Sequence, residues 1–203
     1  DLPLVMAPSI KDWPPMASMK QHLLLEVASL ITDPVTTTDE LIPSGETAAY
    51  RSDPMGLADY TLSRKDPAYV GEAKSVRSLR DMAKHRENSP ELERIMEQIH
   101  RIPGMEGVRL DTITIGSTIY AAKPGDGSAR EQAASCQKVL GACANIAKEY
   151  ATKRYRSNLI NWGMIPFLLQ EEPSFSKGDW IYVPDVAEKL SNRLTEIPAY
   201  LLG

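Results

Sequence analysis

The tightest constraint on this chain is the passage from Val108 to Gln132. Val108 to Ala121 (VRLDTITIGSTIYA) alternates and is rich in β-branched residues, which predicts a strand or a strand pair. It runs into Gly125-Asp126-Gly127-Ser128-Ala129-Arg130-Glu131-Gln132, two glycines followed by a polar helix start. Strand, glycine turn and helix in that order are the centre of an α/β domain. The turn also carries chemistry. Glycines permit positive φ and close approach of a ligand to the backbone. The first amides of a helix lack internal partners and favour an anion such as a carboxylate, and Ser128 and Arg130 would flank it. A plainer reading competes. Ser128 and Glu131 spell S-x-x-E, a capping box in which the serine only closes the helix N-terminus.

The helix after this turn is expected from Ala129 to about Tyr150, with Ala133, Cys136, Leu140, Cys143 and Ala147 on its buried face. The 2 cysteines of the chain, Cys136 and Cys143, would then stand two turns apart, roughly 10 Å, too far to bridge. Buried free thiols and a reducing, cytoplasmic compartment follow. Two cysteines cannot by themselves hold an iron–sulfur cluster. No residue of this chain is assigned to a metal.

Upstream, residues 1–21 hold several prolines and no clean periodicity, which reads as a linker arm, and residues 22–203 as the domain proper. Trp13, before Pro14-Pro15, is expected to pack on a surface of this domain or another. His22 to Ile31 is a nearly continuous apolar run, read as a buried strand with a helix as the alternative. Residues 33–45 read as a loop containing Asp39. Asp53-Pro54 marks the start of a short helix. Residues 64–79 look irregular. Ser78 to His100 reads as one exposed helix or two, interrupted at Ser89-Pro90, with His85 and His100 on the surface. Lys153 to Asn158 reads as a basic link, Leu159 to Leu169 as a kinked strand or a short helix plus strand, and Gly178 to Val183 as a turn into a strand. A final helix starts at Asp185. Hydrophobic residues at 42% and a net charge of −4 suit a globular domain and speak against non-specific nucleic-acid binding as the main role. No apolar run reaches transmembrane length.

Three motifs then align with a known family. Gly127-Ser128-Ala129-Arg130-Glu131 resembles the G-S-S-R-E motif of the aconitase superfamily, and Thr37-Thr38-Asp39 its T-T-D. The stretch Arg156 to Phe167 (RSNLINWGMIPF) resembles the R-S-N-x-x-N-x-G-x-x-P stretch of the isopropylmalate isomerase small subunit and its aconitase relatives. Within the superfamily the chain is most similar to the bacterial aconitase-like putative hydratases. The resemblance implies an α/β fold of the swivelling β/β/α type, the C-terminal domain of a hydro-lyase whose other three domains bear a [4Fe-4S] cluster. It accounts for a chain that starts at Asp1 and for the proline-rich arm as a link to those domains. It implies Ser128 as the base in the reversible dehydration of a small hydroxy-polycarboxylate. Arg130 and Arg51 would bind carboxylates, with Thr38 and Gly127 beside the substrate and Asp39 orienting a partner group. It implies a cluster bound elsewhere, partners in the form of a small hydroxy acid and domains 1–3, no membrane, and an isolated domain without activity. Three positions depart from the pattern: Ala129 replaces the family's second serine, Ile42 a serine, and Glu40 a histidine. Residues 64–107 look partly like an insertion. The alternative is a non-catalytic or RNA-binding aconitase-like module, with Lys153, Arg154 and Arg156 interleaved with Tyr150 and Tyr155.

Overall fold

The computed structural model describes Pro3 and residues 5–203; residues 1, 2 and 4 of the expected arm lie outside the described residues. Its strands are β1 (His22–Ile31), β2 (Thr36–Thr37), β3 (Ile113–Ala121), β4 (Pro124–Asp126), β5 (Ala142–Ala147), β6 (Ile165–Leu168), β7 (Trp180–Val183) and β8 (Tyr200–Leu202). The α-helices are α1 (Thr38–Leu41), α2 (Pro54–Ala58), α3 (Tyr69–His85), α4 (Pro90–His100), α5 (Arg130–Val139), α6 (Lys153–Asn161) and α7 (Val186–Ser191).

The main sheet has the order β6-β5-β3-β1-β7-β8. The four strands from β6 to β1 are parallel, while β7 runs antiparallel to β1 and β8 antiparallel to β7. The parallel strands step in one direction across the sheet. Crossovers of one hand, stepping one way, deliver their helices to one face. Residues of α2, α3, α5 and α6 accordingly pack in one core with Ala28, Ile31 and Ile119, and α3 and α4 in an adjoining core with Leu24, Ile113 and Ile115. The opposite face, with Leu23, Leu25, Val27 and Ile146, is covered by α7 and by irregular chain carrying Met19, Phe175 and Ile197.

Burial on both faces explains why β1 reads as a continuous apolar run. Its exception is Glu26, 9% exposed, opposite Trp180 on β7. Burial, reinforced by the negative charges of Glu72 and Glu91, pushes the Glu26 carboxyl up to about 7.

Several expectations hold. Asp53 caps α2 through the Gly56 amide, with Pro54 in its first turn, and Ser89-Pro90 starts α4 in the same way. Leu159 to Leu169 is the end of a helix followed by a strand, and α7 follows Asp185. The described residues from Pro3 to Gln21 contain no helix or strand. Both thiols are free and buried, and burial pushes Cys136 up to about 12.

Others need correction. The single helix expected from Ala129 to Tyr150 is α5 followed by β5, with a turn at Leu140–Gly141. Ala142–Ala147 (ACANIA) is buried throughout, between β3 and β6. A fully buried strand of small residues has no period-2 alternation, so it passes for the buried part of a helix. Cys136 and Cys143 therefore lie in different elements and different cores, not on one helix face. Residues 64–79 are not irregular, since α3 begins at Tyr69 and buries Ala73, Val76 and Leu79 at helical spacing. The basic link 153–158 is the first part of α6, capped by Thr152, whose hydroxyl accepts from the Tyr155 amide. The loop 33–45 contains β2 and α1.

Candidate active site

The site is built where β1 and β3 end. These strands are parallel neighbours, so the segments leaving their C-terminal ends emerge side by side. In an open α/β sheet that is where ligands bind. The segment after β1 forms β2, and the segment after β3 forms β4. The two pair in parallel, Thr36 opposite Pro124 and Thr37 opposite Asp126, and the Thr36 amide donates to the Lys123 carbonyl at 2.9 Å. This small ribbon brings the Thr37-Thr38-Asp39 segment against Gly125 to Arg130.

The contact is close. Gly127 has φ +130°, and a Cβ there would overlap the Thr38 hydroxyl. Gly125 has φ +96°, and a Cβ there would overlap the Tyr155 ring. Both glycines are thus used by the protein's own side chains, where the sequence suggested approach of a ligand. Thr38 itself is buried, 3% exposed.

A capping box exists in this site, but not at Ser128. Thr37 is the N-cap of α1. Its amide donates to a Glu40 carboxylate oxygen at 2.7 Å, and its hydroxyl accepts from the Glu40 amide at 3.2 Å. Burial pushes the Glu40 carboxyl up, but the Thr37 amide and hydroxyl and Lys65 outweigh it and hold the group below its ordinary value. Glu40 is therefore spent on local structure.

Helix α5 is capped differently from the S-x-x-E expectation. Its N-cap is Ala129, with no side-chain cap bond. Ser128 is exposed and makes no hydrogen bond among the described residues. Glu131 accepts from the Trp162 indole N–H at 3.1 Å instead. With Ala129 as the N-cap, the amides of Arg130, Glu131 and Gln132 lie in the first turn, where a helix has no acceptors of its own.

Arg130 is half-buried, and its Nε is fully enclosed without a hydrogen-bond partner among the described residues. A buried donor left unpaired costs on the order of 1–3 kcal/mol.

Asp39 is exposed. It accepts from the Ser44 amide at 3.1 Å and from the Ser44 hydroxyl at 3.2 Å, and lies 3.4 Å from the Arg64 guanidinium. Arg51 stands apart from this group. It follows the short 3-10 turn Ala48–Tyr50, is exposed, and makes no hydrogen bond or ion pair with Ser128, Arg130, Thr38 or Asp39. Its neighbour Ser52 accepts from the Lys11 amide through its carbonyl, which ties the arm to this turn.

Two supports of the site escaped the sequence. Gln137 of α5, Asn145 of β5 and Tyr155 of α6 form a closed buried triangle. Gln137 Nε2 donates to the Tyr155 hydroxyl at 3.0 Å, Tyr155 donates to Asn145 Oδ1 at 2.6 Å, and Asn145 Nδ2 donates to Gln137 Oε1 at 2.6 Å. Tyr155 is thereby held under Gly125. Trp13 of the arm packs on Trp162, with ring centroids 4.9 Å apart, and so reaches the residue that holds Glu131. The packing surface expected for Trp13 is on this domain. Polar residues at buried helical positions were the only sequence signal for the first support.

Comparison with known proteins follows this geometry. Residues 113–172 match the family model of the aconitase C-terminal domain. That stretch of the chain is similar to the aconitase-type swivel domain. The matched stretch runs from β3 through β6 and contains the Gly125–Arg130 turn, α5 and the Gln137–Asn145–Tyr155 triangle. Among solved structures, 3-isopropylmalate dehydratase (leuD) from Methanocaldococcus jannaschii is similar at 20% identity and a TM-score of 0.49, over 90% of this chain and 83% of that one. Comparison with curated protein sequences gives no match.

The residues of this chain do not suit an iron–sulfur cluster as its own cofactor. Cys136 and Cys143 are buried in separate cores, and burial raises both thiols, which disfavours the thiolate a metal needs. Among the described residues no group of three or more His, Cys, Asp and Glu converges as a metal site. Among them, too, no helix is long and apolar enough to cross a membrane. The rings expected to interleave a basic RNA-binding stretch are otherwise engaged. Tyr155 is fully buried, and the Tyr150 hydroxyl donates to the Asn145 and Phe167 carbonyls.

Proposed function

We propose that residues 22–203 act as the swivel domain of a hydro-lyase that reversibly dehydrates a small hydroxy-polycarboxylate in the cytoplasm. Residues 1–21 would link it to domains that carry the [4Fe-4S] cluster. The observation that carries the reading is the half-buried Arg130 guanidinium, whose Nε has no acceptor among the described residues, two positions from a serine freed of capping.

Arg130 binds a substrate carboxylate, for which a guanidinium offers a planar fork of donors. Ser128 takes the proton from the carbon beside that carboxylate. The C–H electron pair becomes the C=C bond, and the hydroxyl on the neighbouring carbon leaves once a group outside this chain assists it. A serine is a weak base in water. Its alkoxide is stabilised here by the first amides of α5 and the Arg130 charge. Thr38 and Gly127 hold the loop by their mutual contact, and Thr38 is too buried to contribute more than an edge to the ligand. Asp39 faces solvent and orients a group from another domain. Arg51 binds a second carboxylate only if the chain closes around the substrate, since it stands outside the ribbon that joins the others.

The test uses the assembled enzyme and a panel of hydroxy di- and tricarboxylates. Ser128→Ala lowers kcat by about 10²–10⁴-fold, the usual contribution of a positioned base. Arg130→Lys raises KM for the same substrate by about tenfold, one hydrogen bond of a bidentate pair. Full turnover in the Ser128→Ala enzyme would sink the reading. The domain alone is expected to be inactive.

A further inference from the structure

A large cleft lies at the other end of the sheet. It has a volume of about 1000 Å³ and is walled by Pro15 to Ser18 and Lys20 of the arm, the C-terminal half of α3 and the start of β3. The candidate active site leaves the C-terminal ends of β1 and β3. This cleft borders Ile113 to Ile115, at the N-terminal end of β3, so the length of that strand, roughly 30 Å, separates the two.

Its charge is opposite to that of the chain. Lys20, Arg77, Arg80, Lys84, Arg86 and Arg109 line it, against the carboxylates Asp81, Glu87 and Asp111, in a protein of net charge −4. Arg77, Arg80 and Lys84 fall at i, i+3 and i+7 on α3, one face of the helix, with neighbouring Cβ atoms about 5–6 Å apart. Lys20 faces them from the arm, held by its amide's bond to the Thr114 hydroxyl at 2.7 Å.

Few of these cations are engaged. Arg109 pairs with Asp111 at 2.7 Å, and Arg77 donates to the Val139 carbonyl at 3.2 Å. Lys20, Arg80, Lys84 and Arg86 have no side-chain hydrogen bond or ion pair among the described residues. Arg80 is the telling one. It is half-buried, near Gly141, and its guanidinium, with five donors, has no acceptor among the described residues. Cations in the last turn of a helix do offset its dipole, which accounts for Lys84 and His85. It does not account for Lys20 on the arm, Arg109 before β3, or the half-buried Arg80. Arg86 is further held in the left-handed region, φ 56°, where a non-glycine residue is strained.

We infer that this cleft binds a small phosphate-bearing polyanion of three or more negative charges. A guanidinium fork and several ammonium groups across one cleft suit phosphate oxygens. Among the described residues no Phe, Tyr or Trp lines the cleft, and the one ring that does, His85, has its Nδ1 on the Asp81 carbonyl at 2.8 Å, so recognition rests on the phosphates. The volume is at the upper end for a small-molecule pocket. Because Pro15 to Ser18 and Lys20 form one wall, an occupant draws the arm onto α3.

Calorimetric titration of the full chain with tripolyphosphate tests the inference, with tricarballylate as a carboxylate comparator and a six-residue acidic peptide as a macromolecular one. Tripolyphosphate is expected to bind saturably with Kd below about 1 mM in low salt, and more weakly at 0.15 M salt. Lys84→Gln, an exposed change that leaves the fold intact, weakens binding several-fold. The double variant Arg80→Gln/Lys84→Gln, checked by circular dichroism, weakens it at least about tenfold. Lys148→Gln, at the opposite end of the sheet, leaves it unchanged. No saturable binding to the folded chain, an unaltered Kd in Lys84→Gln, or equal or tighter binding of the tricarboxylate or the peptide would overturn it. None of these readouts depends on hydro-lyase activity.

Discussion

Glu26 sits in the middle of β1 as an acid among leucines, and its environment favours the neutral form. Its folded-state pKa, about 7, lies above the ordinary carboxylate value. The folded state then holds the proton more tightly than the unfolded state. Its stabilising contribution is full below about pH 4.5 and is lost as pH rises through 7, by on the order of 2–3 kcal/mol. Glu26→Gln is expected to flatten the stability–pH profile between about pH 4.5 and 7 and to raise Tm at pH 8. Chemical denaturation at several pH values checks it. An unchanged slope would mean that Glu26 reaches water. At the same scale, Gly127→Ala is expected to destabilise by about 2 kcal/mol or more, because its Cβ meets the Thr38 hydroxyl and its φ is positive. Thr38→Ser keeps that hydroxyl and rescues nothing; Thr38→Gly in the Gly127→Ala background removes the collision and recovers part of the loss. Ser128→Ala, by contrast, is expected to shift stability by less than about 0.5 kcal/mol, since Ser128 caps nothing. A loss of about 1 kcal/mol on thermal melting would restore the capping reading.

At the scale of elements, the site rests on two joints. One is the β2–β4 ribbon, which pairs only two positions and so relies on the Thr37–Glu40 box to hold α1 in place. The other is the Gln137–Asn145–Tyr155 triangle, which ties α5, β5 and α6 together beneath the Gly125 turn. Each member satisfies the next, and a partly satisfied buried network is costly. Tyr155→Phe is expected to lower stability by about 1–3 kcal/mol, leaving Asn145 Oδ1 without the Tyr155 donor. Urea unfolding measures it. A neutral result would show that water replaces the hydroxyl. Sequence pattern found β3 and the starts of α2 and α4, through the alternation of Val108–Ala121, Asp53-Pro54 and Ser89-Pro90, but neither ribbon strand and not the start of α6. It missed β5, because Ala142–Ala147 is buried on all sides and a uniform burial pattern has no period. It missed the first half of α3, before Ser78, for a different reason. The buried Ala73, Val76 and Leu79 are thinly spread among charged residues, so the apolar stripe is narrow.

Across the whole molecule, the sheet separates two charged regions. The Arg130 site lies at the C-terminal ends of the parallel strands and the basic cleft at the start of β3. The arm visits both, since Trp13 packs on Trp162 while Pro15 to Ser18 and Lys20 wall the cleft. Trp13→Ala is therefore expected to change the intrinsic fluorescence of the chain and to lower stability by about 1 kcal/mol, the scale of one aromatic contact. An unchanged spectrum would mean that the arm is not seated on Trp162 in solution.

The sequence by itself determined the α/β class, the strand–turn–helix centre, the aconitase-type motifs and the burial of both thiols. These are properties of local pattern and composition, which a chain displays before it folds. Tertiary structure alone decided what the motifs do for one another. Residues as distant as Thr38 and Gly127 meet only because two parallel strands end side by side, and that contact consumes the glycine the sequence offered to a ligand. Whether Ser128 caps α5 or stands free depends on where the helix starts, at Arg130, and on Glu131 turning to Trp162. The unpaired Nε of Arg130 and the unpaired guanidinium of Arg80 are facts about surroundings. A sequence records that a donor exists; only the packed fold establishes that no acceptor has come to meet it.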